Sequence, residues 1–309
     1  MTTSHLTVVV VSWNVRELLA SCLCSLFRDL EDSALDPSVW IVDNASTDGT
    51  PEMIAESFPQ VHLVASDENL GFAAGNNRVL REILRDLDSS DGESNFWLLN
   101  PDTQVQPGAT TALVNALEAE PRAGVVGAKL LYSDGSLQQS AFRFPGLMQL
   151  AFELFPMPEQ LYETPLNGRY PRRLYEGTAP FPVDHPLGAS MMVRAQAIRE
   201  VGLLDEAYHM YCEEIDWCWR MHEAGWRAYC APAARVVHHA GQSTSQVPVA
   251  SFRNLWTSRA RLYARHHGPL TWRLSRAMVR LGMERRMESA SPEMAEACRD
   301  VIQVWENER

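Results

Sequence analysis

The sequence predicts an α/β protein built around a parallel β-sheet. Apolar runs that fit buried strands alternate with helical patterns over residues 6–119, an order that favours parallel strands joined by right-handed crossovers. Several of these strands end in polar residues, and ligands of such sheets bind beside the carboxyl ends of the strands. The chain of 309 residues, with 46% hydrophobic and 21% charged content, has the composition of a globular protein with an ample core.

Four strands and four helices are predicted in this first part. The continuous apolar run LTVVVVSW, residues 6–13, is typical of a strand buried on both faces. Residues 15–30 follow with leucines at helical spacing, and Pro51 occupies the favoured first turn of the next helix. The remaining predicted elements are the strands 39–43, 61–66 and 96–100 and the helices 51–58, 73–87 and 108–119.

Residues 145–186 interrupt this pattern. They hold eight of the 18 prolines of the chain, interleaved with six aromatic residues, and this aromatic content does not fit a disordered linker. Two interpretations stay open. Long segments of this kind are often lids or binding loops, and the alternative is an irregular excursion packed on the protein surface.

Regular structure is predicted again after residue 187. The predicted elements are a strand and a short helix over 188–208, a helix over 212–225, and two short strands over 227–232 and 234–241. Gly225 is the expected C-cap of the second helix. From residue 252 an amphipathic helical pattern continues to residue 309, with a break at Gly268-Pro269.

Charge and hydropathy exclude some functional classes. A net charge of −12 argues against general nucleic-acid binding. No apolar run approaches the ~18 residues that span a bilayer, and LTVVVVSW lacks the pattern of a signal peptide. The six cysteines form no zinc-like CxxC pair, which favours reduced thiols in a cytosolic protein.

Residues 253–286 hold nine arginines and one acid, so we expect them to contact an anionic membrane or the acidic body of the protein.

Common phosphate-binding loops are missing at the predicted strand ends. The first strand ends in Ser12-Trp13-Asn14, without a Gly-x-Gly-x-x-Gly pattern or a P-loop. An aspartyl phosphatase would need a second acid two residues after Asp43, where Ala45 stands. The sequence therefore favours a different kind of ligand site.

Two acids at strand ends each allow a functional and a structural interpretation. Asp43 could accept hydrogen bonds from a base or ribose, or it could only close its own Asx-turn. Asp102 could hold Mg²⁺ or Mn²⁺, since these ions bind through one or two carboxylates plus substrate phosphate oxygens. The alternative for Asp102 is turn chemistry after Pro101.

A third acidic group lies at the start of the helix predicted over 212–225. Glu213, Glu214 and Asp216 would suit the positive end of the helix dipole. Aromatic residues surround them, and acids in such surroundings can have a raised pKa and act as general bases. Downstream, His238 or His239 at a strand end could ligate a metal or fill a polar niche.

Seven segments, in this order, resemble the family 2 inverting glycosyltransferases, particularly the bacterial rhamnosyltransferase-like branch. They are VVVVSWNVRELLASCLCSL, VDNASTDGT, ENLGFAAGNN, LLNPDTQV, GAKLLYSDGSLQQSAFRFP, GASMMVRAQAIREVGLLDEAYHMYCEEIDWCWRMHEAGW and VVHHAGQS. The resemblance covers about residues 6–245. It implies a GT-A fold, with a Rossmann-like nucleotide-binding half and an acceptor-binding half around one mixed, mainly parallel sheet, plus C-terminal helices.

The resemblance also implies a division of the chain. Residues 1–130 would form the nucleotide-sugar-binding half. Residues 131–250, with the loop 145–186, would form the acceptor-binding half, and residues 251–309 a C-terminal helical extension.

Site residues follow from the matched segments. The resemblance implies that Asp43 contacts the pyrimidine, that Asp102 and His238 hold a divalent cation, Mg²⁺ or Mn²⁺, and that Glu214 is the general base. Glu213 or Asp216 would position Glu214 or bind the acceptor. The donor-binding residues would be Ser12, Asn14, Asp43, Ser46, Asn69, Gly71, Asn76, Asn100 and Asp102.

The implied reaction transfers a sugar from a nucleotide diphosphate, with dTDP-L-rhamnose as the first donor candidate and a UDP-sugar as the second. The acceptor would be a polysaccharide or lipid-linked glycan at the cytoplasmic face of the plasma membrane. Two positions depart from the family pattern. Glu214 stands where Asp is usual, and Asn100 replaces an acid, so metal affinity should depend on the substrate diphosphate. The alternative is a non-catalytic nucleotide-sugar-binding or scaffold protein on the same fold.

Overall fold

A ten-stranded mixed sheet forms the centre of the computed structural model, which describes residues 5–31, 33, 35–86, 94–240 and 246–308. The strands in these ranges are β1 (His5–Ser12), β2 (Asp36–Asn44), β3 (His62–Ser66), β4 (Asn95–Leu99), β5 (Thr103–Val105), β6 (Ala123–Leu131), β7 (Leu137–Gln138), β8 (Ala141–Phe142), β9 (Phe181–Val183), β10 (His185–Pro186), β11 (Ser190–Arg194) and β12 (Arg227–His238). The main path of the ten-stranded sheet is β3-β2-β1-β4-β11-β6-β12-β5, with β7 paired to β6 and β9 to β12, while β8 and β10 form a separate two-stranded sheet.

Helices cover both faces of this sheet and continue beyond it. They are α1 (Arg16–Glu31), α2 (Thr50–Ser57), α3 (Gly71–Asp86), α4 (Ala109–Ala119), α5 (Leu147–Leu154), α6 (Glu159–Tyr162), α7 (Ala195–Val201), α8 (Glu213–Glu223), α9 (Pro248–His266), α10 (Pro269–Met287) and α11 (Pro292–Asn307). None of the described helices combines the length and apolar character needed to cross a bilayer.

The first half of the sheet is parallel, as the alternation of strands and helices predicts. β1 pairs in parallel with β2 and β4, and β2 pairs in parallel with β3. Val8, Val9 and Val10 in the middle of β1 are fully buried, which explains its continuous apolar sequence. The register places Ser12 opposite Asp43, so the polar residues that end neighbouring strands lie side by side.

The second half of the sheet is mixed, and it differs from the sequence prediction in two places. β11 runs antiparallel between β4 and β6, and β6 was not predicted from the sequence. The two short strands predicted over 227–232 and 234–241 are one strand, β12, whose pairing with β6 shifts register between Ala231 and Arg235. Pro232 lies in this irregularity, which is where a strand tolerates proline.

Two apolar layers stabilise the sheet, one on each face. One layer packs α1, α2 and α4 against the strands, and the other packs α3, α7 and α8. A separate apolar cluster joins α9, α10 and α11 through residues such as Trp256, Val279 and Trp305. The C-terminal helical pattern has a second break that was not predicted, at residues 288–291, where the Ser291 side chain caps α11 by accepting from the Met294 N–H at 3.3 Å.

The segment 145–186 is ordered and packed, with α5, α6, two short 3-10 helices and β9 inside it. Its Phe152 and Tyr175 are buried. At Gly282 of α10, a Cβ would approach Leu154 of α5 to 2.6 Å, so α5 lies directly against the C-terminal helices. The division of the chain at residues 130 and 250 stays a prediction, and residues 241–243 of the last matched segment lie outside the described residues.

Candidate active site

A cavity with an open volume of about 1030 Å³ lies at the carboxyl ends of β1 and β4. Eight of the residues predicted for the site line it: Ser12, Asn69, Gly71, Asn100, Asp102, Glu213, Glu214 and His238. They come from both predicted halves of the chain, and the sheet brings them together. Apolar groups from Val11, Leu187 and Met210 complete much of the wall.

Strand pairing brings Asp102 and His238 together. Thr103 at the start of β5 lies opposite His238 at the end of β12, and the His239 N–H donates to the Asp102 carbonyl at 2.9 Å. Asp102 Oδ1 and His238 Nε2 are then 3.4 Å apart, which is longer than a good hydrogen bond. Both side chains are buried at the cavity wall.

Gln138 of β7 sets the orientation of the His238 ring. Its Oε1 lies 2.9 Å from His238 Nδ1, and because an amide oxygen only accepts, Nδ1 is the nitrogen that donates. In the neutral ring, the lone pair of Nε2 would then lie on the side of Asp102. A partner of this kind on the second ring nitrogen is typical of metal-binding histidines.

The Asp102–His238 pair fits a divalent cation only in part. One carboxylate and one imidazole nitrogen are suitable donors, but among the described residues no group of three or more His, Cys, Asp or Glu side chains could hold a metal ion. Mg²⁺ and Mn²⁺ commonly complete their shell with substrate phosphate oxygens and water. The donor set is therefore compatible with a cation that shares its ligands with a bound diphosphate.

Glu213 and Glu214 open α8 and face the cavity. Within the described residues, Oε2 of each side chain has no hydrogen-bond partner. Burial raises the pKa of Glu214 to about 7. Burial, together with the adjacent charge of Glu214, raises the pKa of Glu213 well above its ordinary value. At neutral pH this arrangement favours one protonated and one partly ionised carboxyl group.

The backbone before this pair is strained. Tyr211 and Cys212 have positive φ angles of 70° and 68°, a region that residues with a Cβ enter at a cost and that is enriched at functional sites. Tyr211 itself lines the cavity. The strained turn directs the start of α8, and with it both glutamates, toward the cavity.

Asp216, predicted to position Glu214 or bind the acceptor, does not line the cavity. Its Oδ2 accepts from Arg220 Nε at 2.8 Å, and its Oδ1 lies 2.8 Å from His266 Nε2 of α9. Burial opposes ionisation of Asp216, but the hydrogen bonds from His266 and Arg220, with the charge of Arg265, outweigh it and lower its pKa. Asp216 therefore joins α8 to α9.

Gly71 is required where a loop crosses the start of α3. Its φ is +78°, and a Cβ there would lie 2.2 Å from the His209 carbonyl oxygen, which accepts from the Phe72 N–H at 3.0 Å. Asn69 Oδ1 accepts from the Gly71 N–H at 3.0 Å, and Asn44 donates to the Gly71 carbonyl at 3.1 Å. These bonds hold Asn44, Asn69 and Gly71 in the cavity wall.

Four predicted donor-binding residues are not part of the cavity lining: Asn14, Asp43, Ser46 and Asn76. Asp43 Oδ2 accepts from the Ser46 N–H at 3.0 Å, and Ser46 Oγ accepts from the Asn14 N–H at 2.9 Å. These bonds fix the loop after β2 against the end of β1. Asn76 is buried in α3, where its side chain donates to the Phe72 carbonyl at 2.9 Å.

Two polar residues at the site were not among those to which the sequence assigned a role. Asn44 lines the cavity, and its position directly after Asp43 at a strand end was the available signal. Gln138 lies 100 residues before its partner His238. Gln138 lies in the matched segment GAKLLYSDGSLQQSAFRFP, but only the pairing of β7 with β6 places it beside His238.

Comparison with known proteins identifies similar chains. Residues 7–202 match the family model described as "Glycosyl transferase family 2". The chain is 33% identical to an N-acetylglucosaminyl-diphospho-decaprenol L-rhamnosyltransferase of Mycobacterium tuberculosis (strain ATCC 25618 / H37Rv), over 92% of this chain and 95% of the relative. It is 36% identical to the rhamnosyltransferase WbbL of Escherichia coli (strain K12), over 27% of this chain and 31% of that protein.

Two solved structures share the fold at low sequence identity. GalNAc-T7 with UDP, GalNAc and Mn²⁺ matches with a TM-score of 0.59 and 14% identity over 99% of this chain, which spans only 56% of that structure. The mannosyltransferase PcManGT from Pyrobaculum calidifontis, in complex with GDP-Man and Mn²⁺, matches with a TM-score of 0.51 and 16% identity. That match covers 97% of this chain and 69% of the mannosyltransferase.

Proposed function

Because the chain belongs to glycosyl transferase family 2, we propose that it transfers L-rhamnose from dTDP-L-rhamnose to a hydroxyl group of a lipid-linked glycan, with inversion. A UDP-sugar is the second donor candidate. The family resemblance, the GT-A fold and the assignment as a glycosyltransferase are confirmed. The rhamnosyl donor and the lipid-linked acceptor are proposed from the name of the Mycobacterium relative, which covers nearly the whole chain.

The main support for a catalytic role is the arrangement of two different sets of ionisable side chains around one cavity. Asp102 and His238 form one group, and the unpartnered carboxyls of Glu213 and Glu214 form the other. A binding protein would gain nothing from burying two carboxyls without partners, because burial of such groups costs stability. General-base catalysis does require a carboxyl with a pKa close to the working pH.

Glu214 is the proposed general base. It accepts the proton of the acceptor hydroxyl while that oxygen forms a bond to the anomeric carbon of the donor sugar. The bond between this carbon and the diphosphate oxygen breaks on the opposite face, and the nucleoside diphosphate leaves with the electron pair. A single displacement of this kind inverts the configuration, and a positioned base contributes typically ~10²–10⁴-fold in rate.

Asp102 and His238 would hold a divalent cation, whose chemistry is to neutralise negative charge on the departing diphosphate. Burial and the adjacent Glu214 both raise the pKa of Glu213, which favours its protonated form. Its O–H can therefore donate a hydrogen bond to the acceptor or to Glu214. Asn100 and Ser12 supply neutral polar groups on the donor side of the cavity.

A panel of nucleotide sugars, scored by thermal shift with and without Mn²⁺ and then by turnover, tests this proposal. We expect dTDP-L-rhamnose to give the largest shift and to require Mn²⁺ for it, while Mn²⁺ alone gives little. Turnover with a UDP-sugar but not with dTDP-L-rhamnose would refute the donor assignment. Binding without transfer to any lipid-linked acceptor would favour the scaffold alternative.

We also infer that α10 docks on an anionic membrane surface. Three of the large apolar side chains exposed in the described part of the chain lie on one face of this helix: Leu270 (71% exposed), Leu274 (46%) and Leu281 (59%). Arg273 and Arg285 are exposed on the same helix and make no ion pair within the described residues. Leucines flanked by arginines suit the boundary between acyl chains and phosphate headgroups.

The arginines of α9 have a different role. Arg259 pairs with Glu153, Arg265 lies 2.9 Å from Asp205, and Arg253 lies 2.8 Å from Asp300. These contacts fix α9 to the body of the protein and to α11. Of the two interpretations of the arginine-rich segment, internal docking therefore fits α9, and membrane contact is proposed for α10.

Flotation with vesicles of phosphatidylglycerol and phosphatidylcholine tests the membrane proposal. We expect salt-sensitive binding, because each basic residue near an anionic surface contributes ~1 kcal/mol. Replacing Leu274 and Leu281 with serine should reduce the bound fraction severalfold, while Leu166→Ser, which changes an exposed leucine elsewhere, should not. Equal flotation of all variants would exclude α10 as the docking surface.

A further inference from the structure

A second groove, with an open volume of about 1180 Å³, adjoins the cavity on the far side of Glu214. Leu187, Tyr211 and Glu214 line both spaces. The groove runs between α5, the start of α8 and α9, and its other walls come from residues 142–145 and 167–169. A molecule in this groove would meet Glu214 from a space that Asp102 and His238 do not line.

Three arginines line this groove: Arg143, Arg169 and Arg259. Arg259 is already paired with Glu153 across the groove wall. Arg143 has an exposed guanidinium 5.8 Å from the Tyr170 ring centroid and no ion pair among the described residues. Arg143 therefore has N–H donors without a charged partner in the described part of the chain, whereas Glu153 accepts from Arg259. Arg169 also has an N–H donor without a partner among the described residues.

Arg169 pairs with Glu163 through Nη1 at 3.0 Å, but its Nε is buried and has no hydrogen-bond partner in the described structure. An unsatisfied buried donor is costly unless a ligand completes it. The backbone keeps Arg143 and Arg169 close, since Phe142 bridges to Arg169 and the Arg143 N–H donates to the Gly168 carbonyl at 2.8 Å.

We propose that this groove is the acceptor subsite and that Arg143 and Arg169 bind the diphosphate of a lipid-linked sugar. The proposal rests on the proposed function, because a sugar joined to a lipid through a diphosphate is the acceptor class named there. Guanidinium groups bind phosphate oxygens through paired, charge-assisted hydrogen bonds. With the diphosphate held there, the attached sugar would extend toward Glu214, and its hydroxyl would reach the base.

The far end of the groove suits the lipid. Phe152 and Tyr162 line this groove and also a further cleft, which continues to Phe155 of the 145–186 segment and Met283 of α10. Arg285, on the proposed membrane-facing helix, lines the same cleft. A prenyl chain leaving the diphosphate would pass Phe152, Tyr162 and Phe155 in this cleft, whose walls also carry charged side chains, toward the surface inferred to contact the membrane.

The sign of the groove's charge supports an anionic ligand. His185 lines the groove, but burial lowers its pKa to about 4, so it is neutral at physiological pH and adds no positive charge. Glu153 is neutralised by Arg259. Arg169 is likewise paired with Glu163, and Glu214 is the other acid of the lining, so Arg143 is the lining cation without an ion pair among the described residues.

Binding of farnesyl diphosphate and of dTDP, measured separately by calorimetry, tests the proposal without requiring turnover. The double variant Arg143→Ala/Arg169→Ala should weaken farnesyl diphosphate binding by about 100-fold, taking about 10-fold for each lost charged hydrogen-bonding group. Binding of dTDP in the presence of Mn²⁺ should stay within about twofold, because its site lies on the other side of Glu214. Arg143→Lys, which keeps the charge but loses the paired N–H donors of the guanidinium group, should have an intermediate affinity for farnesyl diphosphate.

Arg172→Ala is the matched control. Arg172 is exposed and lies 3.4 Å from the same Glu163 that pairs with Arg169, but it does not line the groove. Its replacement should leave both affinities unchanged. Circular dichroism and thermal melting would establish that each variant is folded.

A kinetic comparison distinguishes failure of this proposal from failure of the proposed function. With a farnesyl-diphosphate-linked N-acetylglucosamine as acceptor, the double variant should raise the acceptor KM at least 10-fold and leave the donor KM unchanged. An octyl glycoside of the same sugar, which has no diphosphate, should be used equally by both proteins.

If wild type uses the diphosphate acceptor and the double variant matches it in KM and in farnesyl diphosphate affinity, the subsite is wrong while the function stands. If wild type binds farnesyl diphosphate through these arginines but transfers no sugar, the subsite stands while the function fails.

Discussion

Helix α8 carries similar acids in two opposite environments. One environment is at the start of the helix, and the other is on the side that contacts α9. Glu213 and Glu214 face the cavity without partners, and burial raises the pKa of both. Asp216, two residues later, is held by Arg220 and His266, and these hydrogen bonds lower its pKa in spite of burial. The pKa of each carboxyl group in this helix therefore depends on the residues that contact its side chain rather than on the helix itself.

The difference indicates which acids are present for stability and which for chemistry. An acid with two cationic or donor partners contributes to folding at neutral pH. Two buried acids without partners reduce stability at neutral pH, and such a cost is expected at sites selected for reactivity. The five predictions below test this division, beginning with the largest expected effect.

Replacing Glu214 with glutamine should abolish most activity. Glutamine keeps the shape of the side chain but cannot accept the hydroxyl proton, so we expect kcat to fall by about 10²–10⁴-fold. Donor binding, measured by thermal shift, should be retained. If kcat of Glu214→Gln stays within threefold of wild type, Glu214 is not the general base.

Replacing Asp216 with asparagine should destabilise the fold and spare the chemistry. His266, Arg220 and Arg265 would lose their common anion, and breaking such a buried pair costs about 3 kcal/mol. Denaturant unfolding at pH 7 measures this free energy. Glu284→Gln, which removes the exposed partner of Arg280, is the control and should cost under about 1 kcal/mol.

The stabilising effect of Asp216 should also depend on pH in a defined direction. Its pKa is lowered in the folded state, so its contribution is present above the unfolded-state value near 3.8 and is lost as pH falls through the folded-state value. A gap between wild type and Asp216→Asn that widens on acidification would contradict this assignment.

Glu214→Gln should make the protein more stable at pH 8. Because burial raises the folded-state pKa of Glu214 from 4.5 to about 7, the folded state holds an extra proton between these values, and wild-type stability falls as pH rises through that range. Removing the group should increase the free energy of unfolding by about 1–3 kcal/mol at pH 8 and by much less at pH 5. Unfolding curves at the two pH values measure this, and equal stability of the two proteins at pH 8 would contradict it.

The pH–rate profile should have an acidic limb set by Glu214. Its carboxyl must be ionised to accept a proton, so kcat/KM should fall about tenfold per pH unit below its pKa of about 7 and level off above pH 8. Donor affinity followed over the same range separates this effect from binding. A profile that is flat between pH 5.5 and 8 would show that no group with this pKa controls the reaction.

Local sequence patterns were sufficient where one element determines its own structure. β1 was predicted from its continuous run of apolar residues, and α2 was predicted because Pro51 fits the first turn of a helix. β6 and the continuity of β12 were not predicted, because their pairing depends on partners far away in the chain and Pro232 resembles a strand end. The candidate site followed the same rule, since the family segments imply roles for Asp102, His238 and Glu214, whereas Gln138 lies in the matched segment 127–145 without an implied role.

The sequence by itself determined the α/β alternation, the order of the family segments and most of the polar residues that line the cavity. These depend on side-chain periodicity and on short motifs, which are local properties of the chain. Only the tertiary structure showed that Asp216 turns to His266 while Glu213 and Glu214 turn to the cavity, and that Arg143 and Arg169 share a groove beyond Glu214. Such assignments depend on which distant residues meet a side chain, because burial and neighbouring charge fix the protonation state and partners of each group.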